Sequence, residues 1–194
     1  MPRLVNHDER RRTIIAAAWR LIAARGIDGI NMRDLAAEAG YTNGALSHYF
    51  SGKDEILRAA FEHVLAETNN RIEQSVRTTQ GRTALDRLCR EIMPLTDVAR
   101  LEARIAISLW QRATTDPALA EVNNAAVGQW KGIMAGYWTE AIAAGELPPR
   151  DVKAGVELLM TTLIGLQVTA VLDPSQTDTR AQMAVVDEIV GAPG

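Results

Sequence analysis

Apolar residues return every three or four positions along almost the whole chain, from Ile14 in the first run to Val190 in the last, and no segment alternates β-branched with polar residues. A period near 3.6 buries one stripe of a helix, whereas a half-buried strand needs a period of two, so the pattern points to an all-α fold. Punctuation residues then divide the helices. The first runs from about Glu9 to Arg25, with Ile14, Ala18, Leu21 and Ile22 inward and Gly26 as its stop. Asn31 followed by Asp34 has the spacing of a capping box and opens a short helix through Glu38, whose inner side is Met32, Leu35, Ala36 and Ala39. Gly40 stops that helix. Thr42 caps another, from Asn43 to about Tyr49, anchored by Leu46 and Phe50, and Ser51 with Asp54 repeats the capping spacing ahead of Ile56, Leu57, Ala60, Phe61, Val64 and Leu65.

Beyond residue 76 the stretch RTTQGRT reads as a linker to a second helical set, near 83–93, 97–114, 117–144, 149–172 and 177–190. Asp116-Pro117 supplies a cap and a proline at the first helical position, Gly145 a stop, and Pro148-Pro149 and Asp173-Pro174 breaks. The longest apolar stretch, 158–172, holds three threonines if Thr161 and Thr162 just inside it are counted with Thr169, and it carries Gln167. It falls short of the roughly 20 residues that span a bilayer, so it is expected to be buried by protein. The first residues carry acids and no apolar core, which points away from a secretory signal. Cys89 is the one cysteine among 194 residues, leaving no intramolecular disulfide or cysteine-based zinc cluster to build; a packing role in a reducing compartment is expected.

Two short helices joined by a glycine turn after a longer one are the parts of a helix-turn-helix, whose second helix enters the major groove of DNA. Thr42, Asn43, Gly44, Ala45, Ser47 and His48 would then face bases, with Gly44 and Ala45 letting the backbone approach closely. Tyr49 and Lys53 are placed for phosphate, as are the N–H groups of the helix after Ser51, and Arg33 can reach phosphate or guanine. The net charge of −3 does not oppose this: residues 1–60 hold nine lysines and arginines against seven acids, including Arg10–Arg12, while 61–194 hold twelve against seventeen. Screening over about 8–10 Å lets a basic head act locally on an acidic body.

The run INMRDLAAEAGYTNGALSHYFSGKDEIL, 30–57, with IIAAAWRLIAARGIDG before it, closely resembles the DNA-binding region of the TetR family of bacterial transcriptional repressors. The family's positions are filled by Ala39-Gly40, Thr42, Gly44-Ala45-Leu46, Tyr49-Phe50 and Lys53 through Leu57. Ser47 stands where the family most often has tyrosine, a variant that resembles the betaine-pathway, BetI-type branch. LCREIMPL, EARIAISLWQRATTDPALAEV and LIGLQVTAVLDP resemble that branch too, with Ile164 where many relatives carry an acid.

The resemblance implies an N-terminal three-helix domain over 8–68, with its helix-turn-helix at 31–50, and an antiparallel helical bundle over 76–194 for dimerisation and effector binding. Helix 149–172 is apolar nearly all round, so one side needs a partner; Val156, Leu159, Leu163, Leu166, Met183 and Val186 are expected in a two-fold dimer interface, with Gly155 and Gly165 allowing close approach. Two heads would read a near-palindrome in double-stranded DNA. A small-molecule pocket is expected among Cys89, Met93, Trp110, Trp130, Met134, Trp138 and Met160, and a choline-like cation would use an acid such as Glu102 or Glu140. Helix 52–74 is the natural lever between head and pocket. No cofactor, metal or membrane is called for, and the location expected is cytoplasmic. The alternatives are an architectural DNA-binding protein without an effector and an all-helical enzyme. For the latter, His7, His48 and His63 have no ligand spacing and no glycine-rich phosphate loop is present.

Overall fold

The computed structural model describes residues 3–26, 29–176 and 178–191. Among them the chain is helical and strand-free: α1 (Arg3–Arg25), α2 (Met32–Ala39), α3 (Asn43–Leu46), α4 (Lys53–Val76), α5 (Gly81–Ile92), α6 (Asp97–Ala113), α7 (Pro117–Ala143), α8 (Val152–Leu172) and α9 (Thr179–Val190), with a 3₁₀ turn at Pro174–Gln176. The expected all-α architecture is what forms.

The ends of these helices follow from local chemistry. The Asn31 side chain accepts from the N–H groups of Arg33 and Asp34, both at 2.9 Å, and Gly40 ends α2 at φ 75°, a left-handed value that a side chain would oppose. Asp116 accepts from Ala118 N at 2.9 Å, Asp151 from Ala154 N at 3.1 Å, and Asp178 from the N–H groups of Arg180 and Ala181. One start and one end differ from expectation. Ser51 pairs with Glu55 rather than Asp54: its N–H and hydroxyl both donate to Glu55 Oε2, at 2.8 and 2.9 Å, while Asp54 pairs with Arg112 Nη2 at 3.3 Å. The segment after α2 gives a single α-helical turn, Asn43–Leu46, followed by turn residues, rather than a helix to Tyr49. Ser47 Oγ there donates to the Gly44 carbonyl at 2.9 Å, a side-chain bond of the kind that competes with helix continuation.

The chain divides into two compact units that do not follow sequence order: residues 1–66 with 104–122, and 67–103 with 123–194. The boundaries of 8–68 and 76–194 expected from sequence are contiguous, whereas the first compact unit also takes in the second half of α6 and the start of α7. The reason is apolar packing. Ile105, Leu109 and Leu119 are buried in one core with Ile14, Ile22, Leu35, Leu46, Phe50, Leu57 and Phe61. Polar contacts accompany it: Arg104 Nη1 donates to the Ala23 carbonyl at 3.2 Å, and Arg20 pairs with Glu38 at 3.0 Å.

The second unit has its own core of Leu85, Leu88, Cys89, Met93, Met134, Trp138, Leu159, Met160, Leu163, Met183 and Val186. Glu140 and Glu146 accept from the N–H groups of Gly81 and Arg82, at 3.1 and 2.8 Å, so two carboxylates serve the N-terminus of α5, where Gln80 offers no side-chain cap. At the other end Gln167 Nε2 donates to the Ile92 carbonyl at 2.9 Å, which accounts for a glutamine inside an apolar run. The α8 helix, at 21 residues from Val152, is long and apolar enough to cross a membrane, against the shorter stretch read from sequence. It starts six residues earlier than that stretch, and Gly155, Val156, Leu159, Met160, Leu163 and Ala170 are buried within its own unit.

Candidate nucleic-acid interface and effector region

The segment after Gly40 sorts its residues by depth. Leu46 and Phe50 are buried at 0% and 2% exposure, so they fasten the turn to the core and fix which side faces out. Arg33, Thr42, Asn43, Gly44, Ser47 and His48 are exposed; Ala45, Tyr49 and Lys53 are half-buried. Thr42 Oγ1 accepts from Ala45 N at 3.2 Å, so this threonine caps the helix. The Ser47 hydroxyl donates to Gly44 O, leaving its lone pairs to accept from a base amino group.

A Cβ built at Gly44 would meet nothing within 4 Å. No packing inside the chain therefore demands glycine there, and its backbone is helical rather than left-handed. Gly44→Ala should leave thermal stability unchanged or raise it, by up to about 1 kcal/mol from helix propensity, yet weaken DNA binding. Unchanged binding in a fluorescence-anisotropy titration would show that the backbone does not approach a groove.

Around Tyr49 the first helix supplies residues that the sequence reading noted only as a basic run. The His7 ring lies against the Tyr49 ring, centroids 4.7 Å apart, and the Arg10 guanidinium is held protonated chiefly by its hydrogen bond to the Tyr49 side chain. Arg11 Nη1 donates to the Tyr49 carbonyl at 3.0 Å. Glu55 is pushed below its ordinary value, mainly by the Ser51 N–H, then by the Ser51 hydroxyl and Arg11, against the opposing effect of desolvation. Stability from this contact is thus present above the ordinary glutamate range and is lost as pH falls through the lowered value. The Ser51 N–H is taken by Glu55 and is not open to phosphate.

The expected effector residues do not converge on one open site. Cys89, Met93, Met134 and Trp138 are fully buried and Met160 is 2% exposed, all in the second unit's core, with half-buried Trp130 packed against it and donating Nε1–H to Asn69 Oδ1 at 2.8 Å. Trp110 packs against the core of the first unit instead and leaves the set. The two acids are engaged: Glu140 at the start of α5, and Glu102 in a two-pronged pair with Arg71, at 3.0 and 2.8 Å. The Trp138 ring face is covered by the chain's own Arg150, whose Cζ lies 4.9 Å from the ring centroid. Burial pushes the Cys89 thiol up to about 12, so the native protein should resist a thiol-disulfide reagent at neutral pH and react only on unfolding, as absorbance would show.

A cavity of about 250 Å³ does exist in the second unit, lined by Arg71, Arg90, Glu91, Met93, Thr96 and Val98 among others. Of the residues expected from sequence, it takes only Met93. Arg71 belongs to α4 and bonds Thr68 Oγ1 and Glu91 as well as Glu102, at 3.2, 3.3 and 2.8 Å. Such a constellation was hidden in sequence because its members are 20 and 31 residues apart.

The expected dimer residues are corrected by burial. Val156, Leu159, Leu163, Met183 and Val186 are 0–6% exposed inside the unit's own core, so these side chains are not available to a partner, whereas Leu166 packs against that core and stays half-buried. Gly155 serves the same interior: a Cβ there would come within 2.9 Å of Trp138 Cη2. The face of α8 left outside is Ala154, Leu158, Thr161, Gly165, Thr169 and Leu172, at helical spacing, with Leu158 51% and Leu172 79% exposed. A Cβ at Gly165 would meet nothing, and α9 exposes Ala184 and Val185.

A reading turn on a capped, glycine-punctuated helix pair, joined to a second helical unit, defines a helix-turn-helix regulator, and the chain belongs to the bacterial regulatory proteins of the TetR family. Residues 14–60 match that family, and residues 81–192 match the C-terminal region of BetI-type transcriptional repressors. The HTH-type transcriptional regulator PksA of Bacillus subtilis is 29% identical over 177 residues, covering 90% of this chain and 84% of PksA. The regulator BetI of Burkholderia lata is 24% identical over 195 residues, covering 98% and 96%. Among solved structures, a transcriptional regulator from Saccharomonospora viridis in complex with choline shares the fold with a TM-score of 0.89 at 23% identity, covering 95% of this chain and 97% of that one. The chain is a transcriptional regulator rather than an enzyme.

Proposed function

We propose that this regulator is a dimeric repressor that binds a near-palindromic operator through Asn43, Gly44, Ala45, Ser47 and His48 and is released from it by a small molecule. The observation that carries the DNA contact is the sorting of the segment after Gly40: apolar Leu46 and Phe50 inward, and a polar, small-residue face outward with open space where a Cβ at Gly44 would stand. Tyr49, Lys53 and Arg33 grip phosphate around it. Residues 8–68 supply the DNA-binding function and 76–194 the dimer and effector functions, in the cytoplasm where the operator is.

Dimerisation runs through the outer face of α8, with Leu158, Gly165 and Leu172, and through Val185 of α9. Small residues at Ala154, Gly165 and Ala184 allow close helix approach, and exposed leucines supply the apolar area. The effector enters the 250 Å³ cavity beside Met93, where Arg71, Arg90 and Glu91 meet polar groups and Val98 an apolar one. Choline, held by the Saccharomonospora regulator, is not favoured here, because Arg150 already covers the Trp138 face and Arg71 neutralises Glu102. A ligand that binds the two states equally shifts nothing, so the effector must bind the DNA-incompetent state better than the competent one. Arg71 and Lys53 lie on the same unbroken helix, α4, which makes that helix the lever.

The test is selection of bound genomic DNA followed by footprinting. A discrete protected palindrome is expected; uniform protection would support an architectural protein instead. On the selected fragment, Lys53→Ala should weaken binding to every sequence and reduce the log–log salt slope by about one, whereas Asn43→Ala should change base preference. Equal losses on every site from both would remove the division between phosphate and base contacts.

A further inference from the structure

Three groups of different chemistry converge on one side chain in the first unit. Arg11 Nη1 donates to the Tyr49 carbonyl at 3.0 Å, at the end of the reading turn, and lies 3.7 Å from Glu55 Oε1, in the first turn of α4. The Arg11 Cζ sits 4.4 Å from the centroid of the Phe50 ring, which is itself buried. Glu55 in turn holds Ser51 by its N–H and its hydroxyl. One guanidinium from α1 therefore grips Tyr49, Phe50 and, through Glu55, Ser51: the three consecutive residues that close the reading segment and lead into the next helix.

We infer that Arg11 is a positioning residue for operator reading, which fixes the angle of the Asn43–His48 face without itself touching DNA. The planar fork suits this: its edge serves a carbonyl and a carboxylate while its face stacks on Phe50, a combination that an ammonium cannot reproduce. Its Nη1 is committed to these two partners. Arg11 differs in burial from Arg10 beside it, which is exposed where Arg11 is half-buried. With side chains 35% and 38% exposed, the Arg11–Glu55 pair adds little to global stability, so its removal should loosen the reading turn more than the fold. Base contacts lose most of their discrimination when the supporting shell slips by about 1 Å, so a loosened anchor is read directly as lost affinity.

The inference rests on the proposed DNA contact, and the experiment separates the two. Binding of wild type, Arg11→Met, Arg11→Lys, Glu55→Gln and the Arg11→Met/Glu55→Gln double variant to the selected genomic fragment is followed by anisotropy across a salt series, with thermal unfolding alongside. Arg11→Met is expected to bind about tenfold or more weakly, with its log–log salt slope and melting temperature close to wild type. The double variant should be no worse than the weaker single one, because both disable the same anchor. Arg11→Lys, which keeps the charge, should stay weakened. A salt slope reduced by about one, with recovery by lysine, would make Arg11 a phosphate contact and overturn the inference. Affinity within twofold of wild type would also overturn it, as would additive losses. Should Arg11→Met fail to fold, Arg11→Lys and Glu55→Gln decide the matter by the same criteria. Wild type binding no discrete fragment would remove the proposed function and this inference together, whereas wild-type binding with unaffected variants removes the inference alone.

Discussion

Leu163→Ala is expected to destabilise the protein by about 2–5 kcal/mol in urea unfolding, while the folded fraction keeps its oligomeric state. Leu163 is wholly buried among Met134, Trp138, Leu159 and Met160, and removing its branched end leaves a cavity in a packed core. Leu158→Glu should do the reverse. Leu158 is 51% exposed on the opposite side of the same helix, so glutamate there costs the monomer little but, in the dimer proposed above, places two like charges beside the two-fold axis. Analytical ultracentrifugation should then show monomers, and operator affinity should fall by about 10²–10⁴ as the two heads cease to bind as a unit. Both variants must be compared at one protein concentration, since dimer stability depends on it. Folded, stable monomers from Leu163→Ala would reverse the assignment of faces.

Arg71→Met is expected to cost about 2–3 kcal/mol of stability. The Glu102 residue is 8% exposed, and both of its carboxylate oxygens accept from Arg71. Without the guanidinium that carboxylate is left inside the unit with no compensating charge. A fully enclosed pair loses about 3–5 kcal/mol in this way, and the figure is discounted because the Arg71 side chain is 34% exposed to screening water. Arg71 is more firmly protonated than usual: desolvation opposes it, but the hydrogen bonds and charges of Glu102 and then Glu91 outweigh that. Arg71→Met combined with Glu102→Leu should recover most of the loss, because an apolar pair needs no partner. A thermal-unfolding double-mutant cycle measures this coupling, and additive losses would mean that the pair is not a unit.

Which features could be read beforehand follows from sequence separation. Asn31, Gly40, Thr42 and Asp116 act on groups two to four residues away, so their roles as caps and stops were legible and appear in the structure. The exposed reading face was legible for the same reason, once Leu46 and Phe50 were taken as inward. Ser51 shows the limit even of local reading: Asp54 and Glu55 both lay within reach, and Arg11, 44 positions from Glu55, draws Glu55 into the anchor. Helix α8 was harder. Apolar residues cover it nearly all round, so its periodicity carries no phase, and the sequence could not tell the face for the core from the face for a partner. Trp110 was likewise grouped with the other tryptophans of the body, whereas α6 gives its second half to the core of the first unit.

By itself the sequence determined the helices, most of their ends and the polar turn at Asn43–His48, because hydrogen bonds between near neighbours set them; the start of α5, held by Glu140 and Glu146, is an exception. Tertiary structure alone decided which side of α8 is buried, which acids are already paired and which arginine holds the reading turn. Each of those depends on groups brought together from 20 or more positions apart, where burial and charge are properties of the packed chain and leave no trace in local spacing.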